Sequence, residues 1–227
     1  MHAPAYHISE LQRDPQSGLL WRQRISPQPA QARLLLLHGV GGRETDLLAL
    51  AETIDARIEV LLLRGPLMLG AEQYGWFQVS FGAQGPRIDA DQADTSRHTL
   101  ISFLQTRDNL PTVIAGFSQG GIMSASLGLS APQLVRGFAV LSGRILPELQ
   151  SHLAAPAALS ELYAFIAHGR YDDKLPVSWA ERAEQWLSEL GVRRQIRLYP
   201  MGHQLSGEEV ADFNQWLAEP LALETLQ

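Results

Sequence analysis

Short apolar runs alternate with amphipathic stretches along most of this chain. Runs rich in leucine, valine and isoleucine, each closed by glycine, proline or a polar turn, recur at 33–38, 58–63, 112–116, 135–141, 161–167 and 194–199. Continuous apolar runs of this kind are typical of parallel strands buried on both faces of a sheet. Apolar positions with helical spacing lie between them, at 44–55, 119–130, 177–190 and 206–218. The alternation predicts an α/β fold with a mainly parallel central sheet flanked by helices.

The first part of the chain predicts antiparallel instead of parallel strands. Segments 6–10 and 19–25 flank a turn-rich stretch at 14–18, so we expect an antiparallel hairpin over about 6–25 at one edge of the sheet. Residues 64–91 are rich in glycine and too long for a simple connector, and long ordered loops are often functional. No linker or repeat divides the chain, so we expect one domain over residues 1–227.

Composition and charge narrow the class of function. The 227 residues are 45% hydrophobic and 19% charged, with a formal net charge of −6 and no cysteine. Without cysteine the chain has no disulfide, thiolate metal site or cysteine nucleophile. The acidic balance and scattered arginines argue against nucleic acid as a partner. The apolar runs are far shorter than the roughly 20 residues of a membrane-spanning helix, and no signal-peptide pattern is present, so we expect a cytoplasmic protein that is not integral to a membrane.

A candidate catalytic motif directly follows the strand predicted at 112–116. The sequence Gly116-Phe117-Ser118-Gln119-Gly120 has the form Gly-x-Ser-x-Gly and leads into a predicted helix, which is the context of a nucleophile elbow. Glycines flank the serine because the turn is strained, and the helix directs its first N–H groups toward developing negative charge. A glycine-rich turn without chemistry is the alternative interpretation.

A serine nucleophile needs a base and an acid, which follow in the chain order Ser, Asp or Glu, His. Of the histidines, only His203 leaves enough chain after Ser118 for another strand that carries the acid. Asp172 and Asp173 both follow such a strand, and position alone does not separate them. One of the two would orient the imidazole, and the other would be a solvated loop charge paired with Lys174.

An oxyanion hole needs two backbone N–H donors. Gln119, directly after the nucleophile, supplies one, and Val40 in the glycine-rich turn at 38–42 (His-Gly-Val-Gly-Gly) supplies the other. Such a turn is also able to cradle a phosphate, but no Gly-x-Gly-x-x-Gly motif or Walker lysine accompanies it. We therefore expect no nucleotide at this turn, and we assign no residue of the chain to a metal.

These motifs together resemble the phospholipase/carboxylesterase family of α/β-hydrolases, which includes acyl-protein thioesterases. The resemblance extends from about residue 19 to 218. It implies a single α/β-hydrolase domain without a large cap, acting as a cofactor-free serine esterase. The family's His-Gly-x-x-Asp pattern, which begins here at His168, favours Asp172 over Asp173 as the acid, and its oxyanion positions fall on Val40 and Gln119.

The resemblance extends to the substrate pocket and has one departure. It implies that Trp76 and Phe77 lie beside the acyl pocket, although Trp76 fits a core anchor equally well. Family members often pair near the active-site loops, which leaves a homodimer open. The thioesterase branch usually carries Asp after His-Gly-x-Gly, where this chain has Gly42-Arg43, which weakens the carry-over of protein deacylation. The lack of cysteine separates the chain from dienelactone hydrolases.

The expected activity is hydrolysis of small-molecule carboxylic esters with short to medium acyl chains, through an acyl-enzyme formed on Ser118. An acyl thioesterase or a lysophospholipase with the same triad, Ser118, Asp172 and His203, is the alternative among enzymes. A non-catalytic binding protein of this fold is a third class, which a complete triad disfavours. The short connection between the strands at 135–141 and 161–167 leaves no room for a lid domain, which favours soluble substrates over lipid aggregates.

Overall fold

Strands and helices alternate along the described part of the chain, residues 7–82 and 85–223 of a computed structural model. The strands are β1 (His7–Ile8), β2 (Gln12–Arg13), β3 (Leu20–Ile25), β4 (Ala32–Leu37), β5 (Ile58–Arg64), β6 (Leu67–Gly70), β7 (Gln73–Gly75), β8 (Val79–Gly82), β9 (Gly85–Ile88), β10 (Thr112–Phe117), β11 (Gly137–Leu141), β12 (Tyr163–Gly169) and β13 (Arg193–Tyr199). The α-helices are α1 (Leu48–Thr53), α2 (Ala90–Gln105), α3 (Gln119–Ser130), α4 (Pro156–Leu159), α5 (Ser178–Glu189) and α6 (Gly207–Leu217).

One nine-stranded sheet organises these elements in the order β1-β3-β5-β4-β10-β11-β12-β13, with β2 paired to β3. The strands from β5 to β13 in this order run parallel, and β3 joins β5 antiparallel. The predicted α/β architecture with a mainly parallel sheet is confirmed. At the N-terminal edge β1 pairs antiparallel with β3, with His7 opposite Ile25; Tyr6, which the hairpin prediction includes, lies outside the described residues.

Five of the parallel strands, from β5 to β12 in the sheet order, are buried on both faces, as their apolar runs predict. The sixth, β13, which the sequence predicts to be the same, is only partly buried, because it forms the edge of the sheet. In β4, Leu35 and Leu37 belong to the core that includes side chains of α2, α3 and α5, whereas Leu34 and Leu36 belong to the core with α1 and α6. Successive strand residues point to opposite faces, and each fully buried leucine contributes about 1.5–3 kcal/mol. The loops that follow these strands are therefore held on a rigid support.

Helix α2 has no counterpart in the predicted pattern. Its buried face includes Ser96 and Arg97, which interrupt the apolar period. Ser96 Oγ donates to the carbonyl of Trp76, and Arg97 pairs with Asp94 at 2.6 Å. Ser96 is therefore satisfied by a tertiary hydrogen bond and Arg97 by an ion pair within the helix, and a pattern of apolar positions does not show such contacts.

Two other predicted segments differ in detail. The stretch predicted as a long loop contains the hairpins β6–β7 and β8–β9, with residues 83 and 84 outside the described chain. The backbone there is so close that a Cβ at Gly65 would lie 2.5 Å from the carbonyl oxygen of Gly75. The helix predicted at 44–55 begins as a 3-10 turn, Glu44–Leu47, and continues as α1.

Candidate active site

Ser118 occupies a strained turn between β10 and α3. Its backbone has φ 54° and ψ −116°, which costs free energy in a residue other than glycine and persists only where the surroundings enforce it. The flanking glycines are required by contact: a Cβ at Gly116 would lie 2.2 Å from the carbonyl carbon of Gly120, and a Cβ at Gly120 would lie 2.1 Å from Leu37 O. The turn therefore has the geometry of a nucleophile elbow.

The structure brings the hydroxyl, an imidazole and a carboxylate into one series. His203 Nε2 lies 3.0 Å from Ser118 Oγ, and His203 Nδ1 lies 2.7 Å from Asp172 Oδ2. The imidazole packs at 4.9 Å between ring centroids against Phe117, and its side chain is 18% exposed. Each contact is within hydrogen-bond distance, so the geometry allows a proton to pass from the Ser118 hydroxyl to His203 without rearrangement, while Asp172 orients the ring.

The two neighbouring aspartates have different environments. Asp172 is buried, and its Oδ1 accepts hydrogen bonds from the backbone N–H groups of Lys174 and Leu175 at 2.9 and 2.8 Å. Burial raises the pKa of Asp172, but the hydrogen bonds from His203 and from these two N–H groups outweigh it, so the net pKa is lowered. Asp173 is exposed and lies 3.5 Å from Lys174 Nζ. Asp172, which the family pattern favours, is the aspartate in contact with the imidazole.

A second histidine supports the loop that carries Asp172. His168 is fully buried; its Nε2 lies 2.7 Å from Leu175 O and 3.3 Å from Asp172 Oδ2. Sequence reasoning identified His168 only as the first residue of a motif. Its role in fixing the acid loop depends on a contact four residues along the chain, which the motif spacing alone does not show.

The glycine-rich turn at 38–42 lies beside Ser118, with the Gly39 Cβ position 3.4 Å from Ser118 Cβ. The turn is pinned from β7, because Gly41 N donates to Tyr74 O and Tyr74 N donates to Gly42 O, both at 2.8 Å. Gly41 has φ 77°, a conformation that glycine adopts without strain. The loop is therefore held in one conformation from outside the active site.

The two N–H groups predicted for an oxyanion hole have no acceptor among the described residues. Val40 N donates to no protein acceptor there, and Gln119 is the first residue of α3, where a helix leaves its N–H groups unpaired. Val40 is 49% exposed, so its N–H lies at an accessible part of the turn. Both donors are free to bind an external oxygen.

His38 stabilises the glycine-rich turn at 38–42. His38 Nε2 accepts from Gly65 N at 2.9 Å, so its Nδ1 carries the proton and donates to Gly39 O at 2.7 Å. Burial lowers the pKa of His38, which keeps the ring neutral.

Next to this turn, Glu44 is 3% exposed and bonds both Arg22 and Arg64. Burial raises the pKa of Glu44, but the hydrogen bonds from Arg64 and Arg22 outweigh it and lower it to about 2. Arg64 also donates to the hydroxyl of Tyr74 at 3.1 Å. Because Tyr74 belongs to the strand that pins the glycine-rich turn, the charge cluster connects that turn to β3 and β5.

Trp76 and Phe77 are fully buried. Gln119 holds both by its side chain: Oε1 accepts from Trp76 N and Nε2 donates to Phe77 O, each at 2.7 Å. The Trp76 indole N–H donates to His38 O at 2.9 Å, so this residue supports the glycine-rich turn from the core. Neither ring offers surface to a substrate in this structure, and a place beside the acyl pocket stays a prediction.

An open cavity of about 430 Å³ adjoins the imidazole. Its lining includes Val40, Leu47, Phe117, His203 and Leu205. The lining combines an apolar surface with the accessible N–H of the glycine-rich turn, and the volume is within the usual range for small-molecule pockets. The cavity is thus able to hold a small group next to the imidazole of His203.

Two other kinds of feature are absent from the described ranges. Within residues 7–82 and 85–223, no three His, Cys, Asp or Glu side chains are grouped so that they could hold a metal ion. No helix in that part of the chain is both long and apolar enough to cross a membrane.

Comparison with known sequences gives consistent matches. A family model described as phospholipase/carboxylesterase matches residues 24–220. The hydrolase MhqD of Bacillus subtilis is 28% identical over 190 residues, which is 83% of this chain and 93% of that protein. Acyl-protein thioesterase 1 of Neurospora crassa is 30% identical over 165 residues, 67% of each chain.

Comparison with solved structures gives the same fold. A carboxylesterase from Mesorhizobium loti has a TM-score of 0.77 at 24% identity, covering 90% of this chain and 96% of that one. Esterase PE8 has a TM-score of 0.74 at 25% identity, covering 85% of this chain and 94% of that one. The predicted α/β-hydrolase fold is confirmed.

Proposed function

Because this chain belongs to the phospholipase/carboxylesterase family and is a hydrolase, we propose that it cleaves carboxylic esters of short to medium acyl chains with Ser118 as the nucleophile. The observation that carries the proposal is the hydrogen-bonded series from Asp172 through His203 to Ser118, with distances of 2.7 and 3.0 Å. A nucleophile, a base and an orienting acid in this order activate a hydroxyl that is unreactive by itself.

The acylation step uses the nucleophile, the base and the two N–H donors together. Ser118 Oγ attacks the ester carbonyl carbon while His203 Nε2 takes the hydroxyl proton, and the carbonyl oxygen becomes an oxyanion. The free N–H groups of Val40 and Gln119 bind that oxyanion. The tetrahedral intermediate then collapses: the carbon–oxygen bond to the alcohol breaks, the imidazolium returns its proton to the leaving alcohol, and the acyl group remains on Ser118.

Deacylation repeats the same steps with water in place of the hydroxyl. His203 takes a proton from water, the hydroxide attacks the acyl carbon, and the carboxylic acid leaves as Ser118 recovers its proton. In both steps Asp172 accepts the Nδ1–H of His203, which fixes the ring's tautomer and stabilises the transient imidazolium. The lowered pKa of Asp172 keeps that carboxylate ionised at neutral pH.

Substrate choice is the finer part of the proposal. The cavity of about 430 Å³ beside His203 suits a compact acyl or alcohol group, and its open form favours soluble substrates. A relative at 30% identity is named acyl-protein thioesterase 1, which favours thioester hydrolysis by the same three residues as the second candidate. A homodimer and a cytoplasmic location stay predictions.

The test is hydrolysis of p-nitrophenyl esters from acetate to palmitate beside a matched acyl-thioester series. Wild-type protein is expected to cleave short esters, and Ser118→Ala and Asp172→Asn are expected to lower kcat by about 10⁴-fold or more. Asp173→Asn is the matched control, because Asp173 is an exposed neighbour of Lys174; its kcat should stay within about twofold of wild type.

The outcomes separate the alternatives. Turnover of thioesters alone would replace the esterase by the thioesterase. Equal activity of Ser118→Ala and wild type would contradict the nucleophile assignment. An organophosphate that adds no mass at Ser118 in the intact protein, with no turnover of either series, would leave a binding protein of this fold.

A further inference from the structure

Arg144 is a half-buried cation without an acidic partner. Its guanidinium lies 4.7 Å from the centroid of the Trp179 ring. Among the described residues, no carboxylate oxygen lies within 4.0 Å of it and none accepts a hydrogen bond from it. Burial lowers the pKa of Arg144, and the longer-range attraction of the exposed Glu148 offsets this only in part.

Other buried arginines of the described chain have acceptors. Arg33 pairs with Glu59 at 2.6 Å, Arg97 pairs with Asp94 at 2.6 Å, and Arg24 donates to four backbone carbonyl oxygens. Removing a cation from water costs free energy unless a partner compensates for the lost hydration. At Arg144 the described chain supplies the face of Trp179 but no hydrogen-bond acceptor.

Arg144 begins beside the proposed nucleophile and reaches toward the loop of the proposed acid. A Cβ at Gly143 would lie 2.9 Å from Ser118 O, and the next Cα is one peptide step of about 3.8 Å away. At the other end, Trp179 lies in the first turn of α5, which directly follows the loop that holds Asp172. The backbone next to Arg144 is therefore close to Ser118, and the guanidinium lies on the helix that follows the Asp172 loop.

The surroundings of the guanidinium favour an anion. The exposed Arg182 lies 4.9 Å from the same Trp179 ring, so two cations share one indole in a chain with a net charge of −6. Contact with the ring face restricts the orientation of the Arg144 plane. Its N–H groups are left for a planar acceptor such as a carboxylate, which guanidinium binds with two parallel hydrogen bonds.

We propose that Arg144 binds a carboxylate of the substrate, so that the enzyme prefers esters carrying an anionic group, such as half-esters of dicarboxylic acids. This inference rests on the proposed function, because the position of the carboxylate is defined relative to Ser118. Arg144 is then a specificity residue, because it contacts the substrate away from the reacting bond.

The test compares charged and neutral esters of equal length. Monomethyl succinate, glutarate and adipate are each paired with the neutral methyl ester of the same carbon count, and methanol release gives kcat/KM. At one or more lengths the anionic ester is expected to be about tenfold or more better in wild type, because hydrogen bonds to charged groups are the strong ones. The preference should decrease as ionic strength rises.

The variants isolate the guanidinium. Arg144→Gln is expected to lower kcat/KM for the anionic ester by about 10- to 100-fold and to leave the neutral ester within about twofold. Arg144→Lys, which keeps the charge and loses the planar fork, should retain part of the preference. Arg182→Gln is the matched control, since it removes one exposed charge from the same indole; it should change both substrates by less than about threefold.

Each remaining outcome decides between the two proposals. Serine-dependent turnover of neutral esters without an anionic preference at any length overturns the Arg144 site and leaves the esterase intact. Equal losses for both substrates in Arg144→Gln make the residue structural and also overturn it. If neither ester is cleaved, calorimetry measures the binding of glutarate to the Ser118→Ala variant. Binding that is lost in the double variant Ser118→Ala/Arg144→Gln supports the site. No binding to Ser118→Ala overturns it.

Discussion

Gln119→Met tests how strongly a buried amide holds the aromatic segment behind the glycine-rich turn. The Gln119 side chain makes one hydrogen bond to Trp76 N and one to Phe77 O, each at 2.7 Å. Gln119 is 3% exposed and both aromatic residues are fully buried, so water does not replace the lost partner. Methionine has a similar length and fills space flexibly, so the change removes hydrogen bonds while leaving little cavity.

The expected cost follows from the number of groups left unpaired. A buried donor or acceptor without a partner costs about 1–3 kcal/mol, and this substitution leaves one N–H and one carbonyl. The free energy of unfolding should therefore fall by about 2–6 kcal/mol, a large part of the roughly 5–15 kcal/mol of a typical domain. Urea unfolding followed by circular dichroism measures it, with an unchanged denaturant slope showing that the two states remain comparable.

Gln92→Met is the matched control. Gln92 Oε1 accepts from Gln78 N at 2.8 Å, in the same segment of chain but at an exposed position. Because water replaces this bond, the loss should be below about 1 kcal/mol. Equal losses for the two variants, or a loss below about 1 kcal/mol in Gln119→Met, would refute the reasoning from burial.

Three further changes have defined outcomes. Glu44→Gln should lower the free energy of unfolding at pH 7 by about 3 kcal/mol in a urea titration, because two guanidinium groups lose their carboxylate. Since the pKa of Glu44 is about 2, the carboxylate's contribution to stability is present above the ordinary pKa near 4.5 and is lost as the pH falls toward 2. Gly120→Ala should not give folded protein in a thermal melt, since its Cβ would lie 2.1 Å from Leu37 O, whereas Gly207→Ala, with nothing within 4 Å of its Cβ, should be neutral or stabilising. Burial raises the pKa of Glu209 to about 7, so its contribution to stability is full below about pH 4.5 and is lost as the pH rises through 7. In urea titrations from pH 4 to 8, the free energy of unfolding of Glu209→Gln should therefore change less with pH than that of wild type. An unchanged pH dependence would contradict the shift.

Much of the fold could be predicted because five of the six parallel strands are buried on both faces and have nearly continuous apolar runs. All six parallel strands are predicted within about two residues of their observed ends. Helix α2, which the pattern missed, has polar residues at buried positions. Ser96 and Arg97 in α2 are buried through bonds to Trp76 and Asp94, which come from other parts of the chain or from a neighbouring turn.

Some residues of the candidate site could also be predicted from the sequence, and others could not. Ser118 and the turn at 38–42 could be identified from local spacing, because steric limits on a tight strand-to-helix turn demand glycine at fixed offsets. The neighbouring aspartates could not be separated by position, since both belong to one loop and only the direction of each side chain distinguishes them. Arg144 gave no signal in the sequence, because lacking an acidic partner is a property of the surroundings.

The sequence by itself determined the order of the parallel strands, the strained serine turn and the set of chemical groups available, since these follow from local sterics and from periodic burial. The tertiary structure decided which groups meet. Asp172, which position alone does not separate from Asp173 and which the family pattern favours, lies 2.7 Å from His203; Trp76 is fully buried; and Arg144 lies on Trp179. The physical reason is that hydrogen bonds and charge pairing act over a few ångströms in space, whereas the residues concerned are separated by tens of positions along the chain.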